Sequence, residues 1–174
     1  MTALGEPRRK PNRLPAGRYR GKQFFFVTIC VQERKPVFSD ARLVAQLSQV
    51  LTESCMKCGF GLYAYCFMPD HVHIEVVGLQ DAANLQELVR AFKGVAARVA
   101  RDFRVRNLWQ KGFYDHILRS SDAQDDVAWY IFSNPVRAGL IVDWSEWPYS
   151  GSSLLKWKQL REPMTSYIPS WKKA

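Results

Sequence analysis

Four stretches of the chain show the apolar or alternating patterns that are typical of β-strands. Residues 24–31 combine Phe, Val, Thr and Ile in one run, which favours a buried strand. Residues 62–67 and 71–77 have a similar character, and Met68-Pro69-Asp70 between them predicts a tight turn. A fourth strand is predicted over residues 109–118, with a break at an internal glycine. The chain should therefore contain four strands, the second and third joined as a hairpin.

Helical periodicity separates these strands. Apolar side chains recur every three or four residues after Ser39 and Asp40, either of which can cap a helix that ends at Gly59. Asn84 can cap a second helix with the same apolar spacing. The outer face of this second helix carries basic side chains. Two amphipathic helices are therefore expected, each with one face against the sheet.

A third helix is predicted from Asp122 through Tyr130. It should bend or end near Pro135, because the residue before a proline avoids the helical conformation. The resulting order, β-α-β-β-α-β-α, predicts an α+β protein with a ferredoxin-like sandwich. In that architecture two helices cover one face of an antiparallel sheet, and we expect the third helix to lie across the other.

The length of 174 residues suits one domain with an extension at either end. We assign residues 1–22 to a basic and flexible arm, residues 23–152 to the domain, and residues 153–174 to a basic and aromatic tail. No apolar run approaches the roughly 20 residues of a membrane span, and no signal peptide is recognisable. The four cysteines form no disulfide framework, which favours a reducing cytoplasm.

The formal net charge of +9 is unevenly distributed and indicates an acidic ligand such as nucleic acid. Seven basic residues and one acid lie in residues 1–22, and eight basic residues and three acids lie in residues 82–119. Basic groups bind a phosphate backbone by releasing its counterions. The candidate DNA contacts are Arg18, Arg20, Arg90 and Lys93. The alternative is that the arm is a solubilising tail and that the helix face is merely solvated.

Two of the three histidines are separated by a single residue. Side chains two residues apart in a strand face the same way, so His71 and His73 should project from the face opposite Val72. Two adjacent imidazoles make half of a plausible metal site and need a further ligand from elsewhere in the fold. The alternative is two polar residues on a half-exposed strand.

The third helix offers partners for these histidines. Tyr130 and Asn134 are four residues apart and therefore share a helical face. If that face crosses the open side of the sheet, a phenol and a carboxamide reach the same point as the imidazoles. A deprotonated phenol beside a metal is a nucleophile for phosphoryl chemistry. The alternative is that Tyr130 is an ordinary core or surface aromatic residue.

Four ordered blocks of sequence resemble a known family. Residues 64–73, Ala-Tyr-Cys-Phe-Met-Pro-Asp-His-Val-His, resemble the His-hydrophobic-His (HUH) motif of single-tyrosine transposases, and most of all their REP-associated branch. Residues 25–28, 109–116 and 130–140 resemble the family's first strand, the segment before its third helix, and its tyrosine helix. The resemblance extends over residues 18–152.

The resemblance implies a specific activity. His71 and His73 would bind Mg²⁺ or Mn²⁺, with Asn134 as the third ligand and Tyr130 as the nucleophile. The enzyme would cleave and rejoin single-stranded or hairpin-forming palindromic DNA through a 5′-phosphotyrosine, as a monomer or homodimer in the bacterial cytoplasm, associated with the nucleoid.

The competing hypothesis keeps the fold and removes the catalysis. A ferredoxin-like nucleic-acid-binding module would need aromatic side chains on its central strands, where this chain has His71, His73 and Glu75.

Two further residues, Asp70 and His116, each have two possible interpretations. Asp70 either orients His71 or only forms the turn, and His116 either assists the site or makes a structural hydrogen bond.

Overall fold

The computed structural model describes residues 16–119, 124–156 and 168–169, and contains a five-stranded antiparallel sheet in the order β4-β1-β3-β2-β5. The strands are β1 (Phe24–Cys30), β2 (Phe60–Met68), β3 (His71–Gly78), β4 (Tyr114–Ile117) and β5 (Ser150–Gly151). The helices are α1 (Ala41–Lys57), α2 (Leu85–Asp102), α3 (Gln124–Phe132) and α4 (Asn134–Arg137). The predicted α+β, ferredoxin-like sandwich is confirmed, and β5 is an addition at its edge.

The main hydrophobic core lies between one face of the sheet and the helices α1 and α2. Alternate residues of β1 and β3 point into it, among them Val27 and Ile74, because successive side chains of a strand face opposite ways. Leu47 of α1 and Phe92 of α2 meet them there. This face is therefore closed, and the chemistry has to lie on the other.

A second, smaller core lies on the opposite face, which we call the site face. Phe26 of β1 and Cys66 of β2 pack there against Val127 and Ile131 of α3. The third helix thus crosses the site face, as the sequence predicted. Its predicted start at Asp122 lies outside the described residues.

A β-bulge in β2 allows this strand to serve both cores. The pairing with β3 shifts between Leu62 and Ala64, so that Tyr63 and Ala64 together oppose Glu75. Before the bulge Leu62 belongs to the main core, whereas Ala64 beyond it belongs to the second. The alternating pattern of the sequence did not predict this reversal.

The helix boundaries follow the predicted capping residues. The Asp40 side chain accepts hydrogen bonds from the N–H groups of Arg42 and Leu43, and the Asn84 side chain accepts one from Gln86. Gly59 follows α1 with a φ of +73°, a conformation that glycine adopts without strain. Between the two interpretations of the first cap, the structure selects Asp40 over Ser39.

The fourth strand is shorter than the predicted 109–118. Trp109 forms only an isolated bridge with Val31, and regular pairing begins at Tyr114. The ammonium group of Lys93 accounts for the gap, because it donates to the carbonyl oxygens of Gln110 and Gly112 at 2.7 and 2.8 Å. Those two carbonyls are therefore turned towards α2.

The last residues of the predicted arm pack onto the domain. Tyr19 is buried in the main core, and the N–H of Gly21 donates to the carbonyl of Ala83 at 3.0 Å. Residues 1–15 of the arm, and residues 157–167 and 170–174 of the tail, lie outside the described part of the chain. Within the described part, no helix is both long and apolar enough to cross a membrane.

Candidate active site

The two histidines meet on the site face. His71 begins β3 and His73 follows on the same side, with their Nε2 atoms 3.1 Å apart. His73 is almost fully buried beneath α3, whereas His71 lies closer to the edge and is partly exposed. The alternation of β3 therefore places both imidazoles as the sequence predicted.

Each imidazole is held through its other nitrogen. The Nδ1 of His71 lies 2.5 Å from Oδ1 of Asp70, whose other oxygen forms an ion pair with Arg34 at 3.1 Å. The Nδ1 of His73 lies 2.8 Å from the hydroxyl of Thr28 on β1. Both rings are thereby fixed with Nε2 towards each other, which is the usual way that proteins orient metal-binding histidines. Asp70 thus orients His71 as well as forming the turn.

The hydroxyl of Thr28 gives His73 a choice of tautomer. A hydroxyl both donates and accepts, so it can bond a protonated or an unprotonated Nδ1. Because Nδ1 of His71 donates its proton to Asp70, Nε2 of His71 carries no proton and acts as an acceptor. The short contact between the two Nε2 atoms therefore requires the proton of His73 to lie on Nε2. Nδ1 of His73 then accepts a hydrogen bond from the hydroxyl of Thr28. A metal would shift that proton to Nδ1, and Thr28 would then accept.

The spacing of the Nε2 atoms fits a divalent cation. Two neighbouring ligands about 2.1 Å from a metal are about 3.0 Å apart in an octahedron and about 3.4 Å apart in a tetrahedron. The 3.1 Å separation, which is that of the N–H···N hydrogen bond between the two rings, lies between these values. In the described residues no group of three or more His, Cys, Asp and Glu side chains could hold a metal. The remaining ligands would therefore have to be of another type, such as an amide oxygen.

Tyr130 lies beside His73. It projects from α3 onto the site face, where the centroids of its ring and of the His73 ring are 6.3 Å apart. Phe26 contacts both rings, with centroid distances of 5.4 Å to His73 and 6.1 Å to Tyr130. The predicted convergence of Tyr130 with the histidines is present in this structure.

Asn134 follows a break between α3 and α4. Pro135 has no N–H to donate to the carbonyl of Ile131, and the Nδ2 of Asn134 donates to that carbonyl instead, at 3.3 Å. The same Nδ2 donates to the carbonyl of Tyr130 at 2.8 Å. Its amide nitrogen is thus engaged, which leaves Oδ1 as the end available to a ligand. The role of Asn134 as third ligand stays a prediction.

Arg137 is a site residue that the sequence reasoning missed. Its guanidinium carbon lies 4.0 Å from the centroid of the Tyr130 ring, and its Nη2 donates to the carbonyl of Tyr130 at 3.0 Å. Burial lowers the pKa of Arg137, and the neighbouring phenol of Tyr130 opposes that effect. A spacing of seven residues, about two helical turns, could have indicated that Arg137 shares the face of Tyr130.

Glu75 completes the polar row of β3. Its carboxyl group is fully buried, and neither oxygen has a hydrogen-bond partner among the described residues. Burial, and secondly the charge of Asp125, raises the pKa of Glu75 to about 9. The carboxyl is therefore neutral at physiological pH, so it places no negative charge beside the histidines.

Two of the predicted DNA contacts, Arg90 and Lys93, lie on α2, which covers the face of the sheet opposite Tyr130. Arg18, Arg20 and Arg90 are exposed, while Lys93 is half-buried and already binds two carbonyl oxygens. Burial lowers the pKa of Lys93. One N–H of its ammonium remains for a phosphate, so its contact with DNA stays a prediction, as do those of the three arginines.

Comparisons with known proteins agree with this geometry. Residues 23–134 match the family described as "Transposase IS200 like". A Haemophilus influenzae protein described as a candidate REP-associated tyrosine transposase is 26% identical over 72% of this chain and 77% of its own length. The REP-associated tyrosine transposase of Escherichia coli is 23% identical over 72% of this chain and 74% of its own.

A solved structure supports the same fold. A REP-associated tyrosine transposase bound to a REP hairpin superposes with a TM-score of 0.64 and 21% identity, covering 84% of this chain and 82% of the other. The family match extends over more than half of the chain and includes the two histidines, Tyr130 and Asn134. The chain belongs to the IS200-like transposases, and it is similar to the REP-associated tyrosine transposases among them.

Proposed function

We propose that this transposase is a metal-dependent endonuclease and strand transferase for single-stranded DNA, with Tyr130 as its nucleophile. The observation that carries the proposal is the convergence of three side chains on the site face. The Nε2 atoms of His71 and His73 are 3.1 Å apart, and the ring of Tyr130 packs beside the second imidazole. A nucleic-acid-binding module without catalysis would have no use for this arrangement.

His71, His73 and the amide oxygen of Asn134 would hold the cation, either Mg²⁺ or Mn²⁺. When bound, the cation supplies Lewis-acid polarisation of the scissile phosphate. The protein contributes orientation, because Asp70 and Thr28 fix the imidazoles before any ligand arrives. The second core packs around the buried His73 and limits the access of water to it.

The chain's own chemistry is the attack by Tyr130. Its phenolic oxygen forms a bond to the scissile phosphorus while the bond to the 3′ oxygen breaks, which leaves a 5′-phosphotyrosine and a free 3′-OH. One phosphodiester is exchanged for another, so a 3′-OH can reverse the step and release Tyr130. The cation of Arg137 against the ring stabilises negative charge on the phenolic oxygen.

The substrate is hairpin-forming, repetitive palindromic DNA. Two observations support this class: the excess of basic residues, and the similarity to a REP-associated tyrosine transposase bound to a REP hairpin. Because the named relatives are bacterial, we place the activity in the bacterial cytoplasm, at the nucleoid.

A covalent-adduct assay tests the proposal. The protein is incubated with a labelled single-stranded hairpin oligonucleotide and Mg²⁺ or Mn²⁺, and the products are separated by denaturing gel electrophoresis. We expect a protein–DNA adduct that is lost with a chelator, in His71→Ala and in Tyr130→Phe. Tyr114→Phe is the matched control, because Tyr114 pairs with Thr28 and is another phenol on the site face. If the adduct survived in Tyr130→Phe and disappeared in Tyr114→Phe, the nucleophile would be Tyr114 and the assignment of Tyr130 would be wrong.

A further inference from the structure

A cleft lined with arginine lies at the carboxyl end of α2, outside the candidate active site. It has a volume of about 550 Å³ and is lined by Arg101, Arg104, Arg106 and Asn107. In the described part of the chain none of the three guanidinium groups has a hydrogen-bond or ion-pair partner. Three positive charges therefore converge on one concavity without an internal counterion.

The backbone of Arg104 shows that one of these arginines is placed against its conformational preference. The N–H of Val105 donates to the carbonyl of Ala100 and that of Arg104 to the carbonyl of Arg101, both at 2.9 Å. This is the Schellman pattern of a helix end, in which the position of Arg104 is usually glycine. Arg104 adopts it with a φ of +61°, which is strained for a residue with a Cβ. Since its guanidinium group has no hydrogen-bond or ion-pair partner in the described protein, a ligand outside is a physical reason to keep arginine there.

The loop that carries the arginines is firmly attached. Leu108 is buried in the main core, and its carbonyl accepts a hydrogen bond from the N–H of Gln32 at 2.9 Å. The N–H of Gln110 donates to the carbonyl of Cys30 at the same distance. The cleft is therefore formed before a ligand arrives, which reduces the entropic cost of binding.

The same attachment places the cleft near the histidines. Val31 donates its N–H to the carbonyl of Asp70 at 2.9 Å, and the next residue, Gln32, pairs with Leu108. Asp70 directly precedes His71. With strands about 4.8 Å apart and about 3.8 Å per residue, Arg106 lies within about 25 Å of His71. That distance corresponds to at most about seven base pairs of duplex.

We propose that this cleft binds the sugar-phosphate backbone of the paired stem of a DNA hairpin, while the unpaired strand next to the stem occupies the candidate active site. The inference rests on the proposed function in taking DNA as the ligand. Guanidinium groups pair with phosphate oxygens at any sequence. Binding of unpaired bases relies on exposed aromatic side chains for stacking, and among the described residues the lining of the cleft consists of arginine and asparagine. A duplex backbone fits this lining better than a single strand.

A pair of double variants tests the inference. Arg104→Gly/Arg106→Gln removes two cleft charges and relieves the strained φ, so its thermal midpoint should not fall below that of the wild type. Arg42→Gln/Lys57→Gln removes the same charge from α1 and is the matched control. Fluorescence anisotropy over a salt series measures the binding of a labelled hairpin oligonucleotide and of an unpaired oligonucleotide of equal length.

For the hairpin, we expect the cleft variant to lose about tenfold in affinity and to reduce the slope of log affinity against log salt by about 1.8, since each phosphate contact contributes about 0.9. The control variant should bind the hairpin with an affinity close to that of the wild type. The cleft variant should likewise bind the unpaired oligonucleotide with an affinity close to that of the wild type. An unchanged hairpin slope, an equal loss on the unpaired strand, or an equal loss in the control would each overturn the proposal. Adduct formation on the unpaired oligonucleotide is measured in parallel, so that a failure of the Tyr130 chemistry is recognised separately from a failure of the cleft.

Discussion

The guanidinium group of Arg137 covers the ring of Tyr130, with its central carbon 4.0 Å from the ring centroid. The same group donates to the backbone carbonyl of Tyr130, so it is fixed to the residue whose ring it covers. This arrangement depends on the break before Pro135, which starts the short helix α4 and lets it turn Arg137 back towards α3. The tyrosine is thus held by its own helix and by the next one.

Replacement of Arg137 should slow the covalent step more than it weakens DNA binding. Arg137→Met keeps the aliphatic stem and removes the cation, so ring orientation and charge stabilisation are both lost. We expect the rate of adduct formation to fall by about 10- to 100-fold, the cost of a small misplacement of a reacting group. Arg137→Lys should recover part of the rate, because a cation remains near the ring. An adduct rate equal to wild type in Arg137→Met would show that the contact is only structural.

Thr28 should determine how tightly the metal binds. Thr28→Val keeps the shape of the side chain and removes the hydroxyl that bonds Nδ1 of His73. The concentration of Mn²⁺ that gives half-maximal adduct formation should rise by about 10- to 100-fold, as is typical when a supporting hydrogen bond is removed. Saturating Mn²⁺ should restore most of the rate. Thr52→Val, on α1, is the control and should leave the Mn²⁺ dependence unchanged. If the half-maximal Mn²⁺ concentration rose equally in Thr52→Val, the effect would not be specific to Thr28.

The sequence was sufficient to predict the fold, and which side chains share a face, because both follow short-range rules. Alternation along β3 placed His71 and His73 on one face, and helical spacing linked Tyr130 to Asn134. The two pairs come together only if α3 packs against the same face of the sheet as the histidines. The sequence predicted that α3 crosses this face, and it does so in the structure. The family resemblance added the chemical roles.

The missed features depend on contacts between distant segments. The bulge at Tyr63 cannot be recognised from alternation, since it changes the face of the strand within one residue. The shortened β4 results from Lys93, which binds carbonyls 17 and 19 residues away. The complete burial of Glu75 depends on α3 lying over it. Such features arise from packing, which a local pattern does not encode.

Lys93 should contribute to stability as well as to any DNA contact. Lys93→Met leaves the carbonyls of Gln110 and Gly112 without their charged donor. Hydrogen bonds to charged groups contribute about 1.5–3 kcal/mol, so we expect the free energy of unfolding to fall by about 2 kcal/mol in urea denaturation. Arg90→Met, one turn earlier on α2 and exposed, should change it by less than about 0.5 kcal/mol. If the two variants were equally stable, Lys93 would have no structural role.

Glu75 should make the protein less stable as the pH rises through neutrality. Its pKa is about 9 in the folded chain, against 4.5 for an ordinary glutamate, mainly because burial disfavours the charged form. Between these values the unfolded chain has released the proton that the folded chain keeps. The free energy of unfolding therefore decreases with pH, by up to about 1.4 kcal/mol per pH unit.

Glu75→Gln removes this titration and keeps the size of the side chain. Relative to wild type, the free energy of unfolding of the variant should be nearly independent of pH below about pH 3.5 and should increase by about 3 kcal/mol between pH 4.5 and pH 7. The comparison is made by urea denaturation across that range, in the presence of a chelator so that metal binding does not contribute. Glu146→Gln, whose side chain is exposed, should keep the pH dependence of the wild type. Parallel curves for wild type and Glu75→Gln would mean that the buried carboxyl is already ionised, and hence that an unrecognised positive group lies beside it.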